Sequence, residues 1–510
     1  MYTLDVKGVV DFSGVPDDTT TLLIKANHQK LFFNTPLPDK IDKLHIYHCH
    51  DIDFSSERIF HNNLKELCLN IREPLNEKFL NEIAQSKVVT FGYACRFPFD
   101  VKYLPKNIDS IKTFTDTFYS GEFPFEKIKT IEFGTCNISS LKQFINLQNI
   151  VGKVNIDTTD FSFPELKKVK LVCYPDTSFP KLIMSIKKCI NLVELTINMD
   201  DNGSKYLESE SEFNLTDTNI KKMYFIHDGI TTTFDDVPLR KRIVFISRPK
   251  FSENLKKLEL KQWWNRCTRK HEDIPLDDLP SSLVELSLVS SQTNLDFSKF
   301  VNVKNLKITF KIEKQIPSRK HIEKKHKLDT DIDDMFDDFE EYIPNEDCLI
   351  KVYPPNLEKL SISVDGFKLG KFPDTVKELC IVGPNCKIQE LPSQLTSLKL
   401  DVYPEFGNDS NYKIVFPATL THLSTNEFFY NIRTLPVGLL SLEIVRLYRN
   451  EDLLFLKHLE NLHTLKIESY NVFYCTLNKK IEFPDSLRVL HIDSGYDSII
   501  PPFIEELCYV

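Results

Sequence analysis

One pattern recurs along the chain: a proline, two residues, an aliphatic, two residues, a leucine, one residue, and a second leucine or isoleucine. It is clearest between Phe372 and Asp401, where Pro373, Val376, Leu379 and Ile381 are followed 19 residues later by Pro392, Leu395, Leu398 and Leu400. The residue that opens the final aliphatic pair serves as a mark. The marks run Leu22, Leu44, Leu67, Phe91, Ile111, Ile131, Val154, Val169, Leu195, Met223, Ile243, Leu258, Leu286 and Leu306. After a gap they continue with Leu360, Leu379, Leu398, Leu423, Leu442, Leu465, Leu490 and Leu507. These 22 positions are spaced about 23 residues apart on average. Such a period describes stacked units that each contact only their neighbours, so the 510 residues count repeats rather than globular domains.

Within a unit, Leu398-Lys399-Leu400 alternates apolar, polar, apolar, which is the period of a strand with one buried face. A proline about every twenty residues disfavours a helical repeat and suits the turn that leads into a short strand. One strand cannot bury its own aliphatics. Stacking the units makes a parallel sheet with a continuous core behind it. The stretches Glu73–Ala84 and Pro180–Cys189 carry aliphatics at helical spacing, whereas steps beyond residue 350 shorten to as few as 19. Helices are therefore expected on the convex side in the N-terminal half, and extended or 3-10 segments in the C-terminal half.

The spacing Ile41-x-x-Leu44-x-Ile46-x-x-Cys49 resembles the leucine-rich-repeat consensus LxxLxLxxN/C, as do Leu22-Leu-Ile24 with Asn27 and Ile131-Glu-Phe133 with Cys136. The Pro-x-x-Leu-x-x-Leu form, with Phe33-Asn34-Thr-Pro36, is also similar to FNIP-type repeats. Elsewhere the Asn/Cys position holds Tyr403, Pro384 or Leu447, so a regular asparagine ladder after the strand is not expected. The resemblance implies an α/β solenoid, a horseshoe or arc with its parallel sheet on the concave face. It implies no catalytic residue. The array divides into residues 1–310 with a cap, a charged insertion at 311–350, and residues 351–510 continuing the same solenoid.

A net charge of −9 over this length is mild and argues against a general binder of nucleic acid or membrane. The N-terminus lacks a signal-peptide pattern, no apolar run is long enough to span a membrane, and the twelve cysteines form no CxxC pairs. Those features lead to the expectation of a cytoplasmic protein. No GxSxG, phosphate-cradling glycine loop or HExxH is present, so no enzyme and no cofactor are expected. The densest set of metal-ligand residue types, His45, His48, Cys49, His50, Asp51 and Asp53, diverges in the repeat register, and no metal site is expected there. Trp263 and Trp264 beside Arg266, Arg269 and Lys270 read as a contact patch or a loop packed on the solenoid.

Between the marks Leu306 and Leu360 lies a basic segment, Lys311 to Lys327, followed by an acidic one, Asp329 to Glu341. It reads as a solvated loop, as an acidic amphipathic peptide carrying Ile332, Phe336, Phe339 and Ile343, or as a calcium loop opened by Asp329, Asp331 and Asp333. The calcium reading lacks the turn glycine, because Asp334 stands in its place.

The expected binding surface is the row of residues between the two strand aliphatics. Its members are Leu23, His45, Cys68, Glu132, Thr196, Tyr224, Glu259, Ser287, Lys307, Ser361, Cys380, Lys399, Ser424, Glu443, Lys466, His491 and Cys508. Mixed charge and few aromatics point to a protein partner rather than nucleic acid. The expected function is a non-enzymatic interaction scaffold. The alternative is a regulatory or targeting subunit of a separate enzyme, with the acidic segment as recruiting element. The strand-like Glu506–Tyr509, with no cap after it, adds an expectation of self-association through that edge.

Overall fold

Where a unit carries the proline, its carbonyl closes the turn that feeds the strand; Phe144, Phe163, Ser252 and Phe300 supply that carbonyl in units without one. In the computed structural model of the chain, the Pro373 carbonyl accepts the Val376 N–H at 3.1 Å and the Pro392 carbonyl accepts the Leu395 N–H at 3.2 Å. Pro417, Pro436 and Pro484 do the same for Leu420, Leu439 and Leu487, each at 3.1 Å. Proline has no N–H, but this position needs only its carbonyl. The structure describes residues 1–56, 58–95, 97–113, 124–137, 141, 143–155, 162–173, 179–199, 214–227, 250–261, 275–290, 292–310, 349–364, 368–383, 386–388, 390–401, 414–425, 435–445, 456–467, 482–492 and 500–509. The insertion (but for its last two residues), the Trp263-Trp264 patch, Ile243, Pro384, Tyr403 and Leu447 lie outside them.

Two compact units divide the chain at Leu255 and Lys256. In the first, a parallel sheet is built from Tyr2–Asp5, Thr21–Lys25, Lys43–Cys49, Glu66–Ile71, Thr90–Ala94, Ser110–Thr113, Thr130–Asn137, Asn149–Asn155, Lys168–Cys173, Glu194–Met199 and Lys222–His227. Its marks stand side by side: Leu22, Leu44, Leu67, Phe91, Ile111, Ile131, Ile150, Val169, Leu195 and Met223. Ile150, not Val154, takes its unit's place in this line. The reason is Gly152, which occupies the second core position between Phe133 and Leu171. A side chain there would overlap the Phe133 ring, so the ring fills the space that an aliphatic fills in other units.

In the second unit the parallel strands are Lys257–Lys261, Glu285–Ser290, Asn305–Phe310, Lys359–Ser363, Glu378–Val382, Ser397–Asp401, His422–Thr425, Ser441–Ile444, Thr464–Ile467, Val489–Ile492 and Glu506–Tyr509. Every mark from Leu258 to Leu507 sits in line with the next. Leu306 pairs directly with Leu360, so the charged insertion leaves the register of the sheet unchanged.

Two devices join successive coils, the second of them in only some of the coils. One carbonyl accepts two consecutive N–H groups from the next coil: Glu358 takes Lys377 and Glu378, Lys377 takes Thr396 and Ser397, and Thr396 takes Thr421 and His422. The second device is an asparagine ladder in an unexpected place, immediately before the first core aliphatic rather than after the strand. Asn146, Asn191 and Asn219 in the first unit, and Asn356 and Asn461 in the second, each donate Nδ2–H to a turn carbonyl of the preceding coil at 2.8–2.9 Å. Thr419 substitutes with its hydroxyl, donating to the Ser393 carbonyl at 3.0 Å.

Three aliphatics per coil form the core. Leu395, Leu398 and Leu400 are buried together, as are Val376, Leu379 and Ile381. At about 1.5–3 kcal/mol for each fully buried aliphatic, this is the main favourable term holding a coil in the stack. The described residues include two α-helices, α1 (Glu77–Gln85) and α2 (Phe179–Lys188), both in the first unit. Asn76 caps α1 by accepting the Phe79 N–H, and Phe79 and Ile83 are buried. Glu82, also buried, accepts the Ile59 and Phe60 N–H groups at 2.9 and 3.0 Å and so satisfies the coil beneath.

Replacing Leu398 by Asp places a carboxylate among Leu379, Leu400 and Leu423, at an expected cost of several kcal/mol. Limited proteolysis should then open residues 373–444 as a group; wild-type resistance there contradicts the register. Asn356→Ala and Asn461→Ala should each cost about 0.5–1.5 kcal/mol in urea unfolding, the value of one hydrogen bond.

Candidate interaction face

On a strand, alternate side chains share a face, so the residues between the core aliphatics form a row on the side opposite the core. In the first unit the register aligns Leu23, His45, Cys68, Gly92, Lys112, Glu132, Val151, Lys170, Thr196 and Tyr224. In the second it aligns Glu259, Ser287, Lys307, Ser361, Cys380, Lys399, Ser424, Glu443, Lys466, His491 and Cys508. The sequence-derived residues thus fall into one line within each unit. Gly92, Lys112, Val151 and Lys170 belong to the same line; their own marks, shifted to Ile150 in one case, locate them. The residues two positions earlier form a second row, where Lys168 and Glu194, Lys257 and Glu285, and Lys359 and Glu378 pair across strands at 2.6–2.7 Å.

The most connected group on this face centres on Glu66, in the second row, which reaches His45 and Lys112 of the first. Its Oε1 meets His45 Nε2 at 2.8 Å and Lys112 Nζ at 2.7 Å, and Lys112 also lies 3.7 Å from Glu132 Oε2. Lys112 stands two strands from Glu66. Its side chain crosses the strand at Gly92, where an added Cβ would lie 2.8 Å from Cys68 Sγ and 3.1 Å from Lys112 Cβ. The glycine opens the passage. The His45 hydrogen bond, followed by Lys112, holds the Glu66 carboxyl down at about 2, against the upward pull of burial. Beside it, burial and then the Glu66 charge push the Cys68 thiol up to about 12. Cys68 is therefore protonated at neutral pH and is no nucleophile.

Cys49 behaves differently from its neighbours. It is buried, and its thiol donates to the Asp51 carbonyl at 2.9 Å, satisfying backbone in the turn after the strand. Burial pushes this thiol up to about 11. His48, at φ 57, and His50 turn toward His28, with ring centroids 5.2 and 6.5 Å away. His45 points instead to Glu66. In the second unit, Glu443 accepts from the Ser424 hydroxyl at 2.7 Å and from Lys466 at 2.9 Å. Burial pushes its carboxyl up, but Lys466 and Ser424 together draw it below the usual range.

Short strands stacked in register, each fed by a turn and locked to the previous coil, define a parallel β-solenoid. Among solved structures, the chain is similar to TLR13 in complex with ssRNA13, at 14% identity over 92% of this chain and 74% of that one, with a TM-score of 0.51. It also matches CroV588, a circular leucine-rich-repeat protein, at 13% identity over 94% and 79% of the two chains, with a TM-score of 0.46. The mouse RP105/MD-1 complex matches at 12% identity over 95% and 82%, with a TM-score of 0.37. No family model and no curated protein matches the sequence. At this identity the likeness shows the fold alone, a leucine-rich-repeat solenoid.

Because Glu66 is held well below the ordinary 4.5 of a glutamate, its ion pairs stabilise the fold in full above that pH. The contribution is lost as pH falls from 4.5 towards 2. Glu66→Gln should lower unfolding stability by about 2–3 kcal/mol at pH 7. In urea titrations the gap to wild type should narrow at pH 3; a gap that stays constant contradicts the ion-pair role.

Proposed function

We propose that the protein is a non-enzymatic scaffold that holds a protein partner on the sheet face opposite its core. The observation that carries this reading is the row itself: within each unit it is continuous and mostly half-buried, it exposes Lys170, Lys307 and Lys399, and it carries both signs of charge. Such a surface offers many weak, specific contacts and no concentrated reactive group. Its mixed charge suits protein better than a phosphate backbone, which wants a run of cations. The expected location is the cytoplasm.

A photocrosslinking residue at Ser361 or Lys399 should capture the same protein partner, and one at the exposed turn position Thr375 should not. Equal capture from Thr375, or capture from Thr375 alone, sinks the proposal.

The segregated charge of residues 311–341 favours a second reading, a targeting subunit that recruits an enzyme through its acidic segment. Because Leu306 pairs directly with Leu360, that segment can be removed without disturbing the register. Deleting residues 311–348 should leave the Ser361 crosslink intact if the sheet face binds the partner, and abolish it if the acidic segment recruits it.

A further inference from the structure

The sheet face carries one set of donor groups twice. His45 with Glu66 and Cys68, and His491 with Glu506 and Cys508, each bring an imidazole nitrogen, a carboxylate oxygen and a thiol sulfur within 4.8 Å of one another. The placement is the same in both. The histidine and cysteine are direct cross-strand partners, and the glutamate precedes the cysteine by two residues on the same face. Even the local sequence repeats: Leu44-His45-Ile46 faces Glu66-Leu67-Cys68, and Leu490-His491-Ile492 faces Glu506-Leu507-Cys508.

The two sets differ in what their charge meets. In the first, the Lys112 ammonium already lies against the carboxylate, and Cys68 is buried. In the second, no cation lies against Glu506 among the described residues. Lys466 turns to Glu443 and Arg488 to Glu505. Glu506 is exposed, His491 and Cys508 are half-buried, and Cys508 Sγ lies 3.7 Å from Glu506 Oε1. The set is thus less buried than the first, and its carboxylate stands open to solvent.

We propose that His491, Glu506 and Cys508 form a binding site for a divalent transition metal of the zinc class, with water completing the coordination. Thiolate and imidazole select zinc-like ions over magnesium and calcium, which prefer oxygen alone. Tetrahedral zinc, with bonds of about 2.0–2.3 Å, places ligand atoms roughly 3.3–3.7 Å apart. The sulfur–oxygen separation already meets that spacing, and side-chain rotation closes the rest. Binding exchanges the Cys508 thiol proton for the metal, releasing one proton to water as the sulfur–metal bond forms. The site would clasp the strands Val489–Ile492 and Glu506–Tyr509 on the face opposite Leu507, whose side chain is 37% exposed. It does not depend on the scaffold reading.

Titration of the reduced, full-length protein with cobalt(II) tests the site. A near-ultraviolet thiolate-to-cobalt band should saturate at one equivalent and disappear on adding zinc. Cys508→Ser should abolish the band, Glu506→Gln should weaken binding, and Cys68→Ser should leave both band and stoichiometry unchanged. The proposal is overturned by absence of a band, by its survival in Cys508→Ser, by its loss in Cys68→Ser, or by unaltered affinity in Glu506→Gln. Glu506 is exposed, so its substitution reports on binding and not on folding.

Discussion

The double hydrogen bond from one turn carbonyl to two N–H groups of the following coil is the contact on which everything else rests. A coil alone leaves those N–H groups without partners and its three aliphatics against water. Both deficits are met only by a neighbour, and only in one register. Shifting a strand by one residue would turn Leu398 and Leu400 outward and Lys399 inward. The proline supports this arrangement by closing the preceding turn with its carbonyl, and the asparagines add a side-chain bond at the same level. Stability and register therefore come from the same few atoms.

The same constraint builds the polar face. Because the marks align strand by strand, so do the residues after them, and side chains distant in sequence become lateral neighbours. Glu66 meets Lys112 across an intervening strand because Gly92 leaves the path open. His491 meets Cys508 because their strands are adjacent. Charge on this face is mostly neutralised locally, by Lys112 on Glu66 and Lys466 on Glu443. The more exposed pairs of the second row, such as Lys359 with Glu378, contribute only about 0–1 kcal/mol each, so they shape the surface more than they hold the fold, whereas the partly buried pairs on Glu66 do both.

The strand aliphatics were legible because alternation at period two survives in short strands, and Leu-x-Leu leaves little choice of face. Legibility failed where one residue type did another's work. Gly152 stands in for a core aliphatic whose volume Phe133 supplies, and the stretch Ile150–Val154 then offered two equally good alternations. The asparagine ladder stands at the turn rather than after the strand, where the family pattern puts it; its only trace in the sequence is the recurrence of Asn-Leu or Asn-Ile, as at Asn191-Leu192 and Asn219-Ile220. The His45–Glu66–Cys68 and His491–Glu506–Cys508 sets could not be found by local spacing, because their members come from different coils. Only the register brings them together.

The pairing of Leu306 with Leu360 has a wider meaning. The two residues are immediate neighbours in the sheet although 54 positions separate them in the chain. The sheet specifies where the intervening segment must leave and return, and nothing about how long it is. Since closing a flexible loop grows costlier only with the logarithm of its length, about 0.6 kcal/mol for each doubling, this position can gain or shed whole passages of sequence at small energetic consequence. It is a natural grafting point, where new behaviour can be added to the array without redesigning any coil.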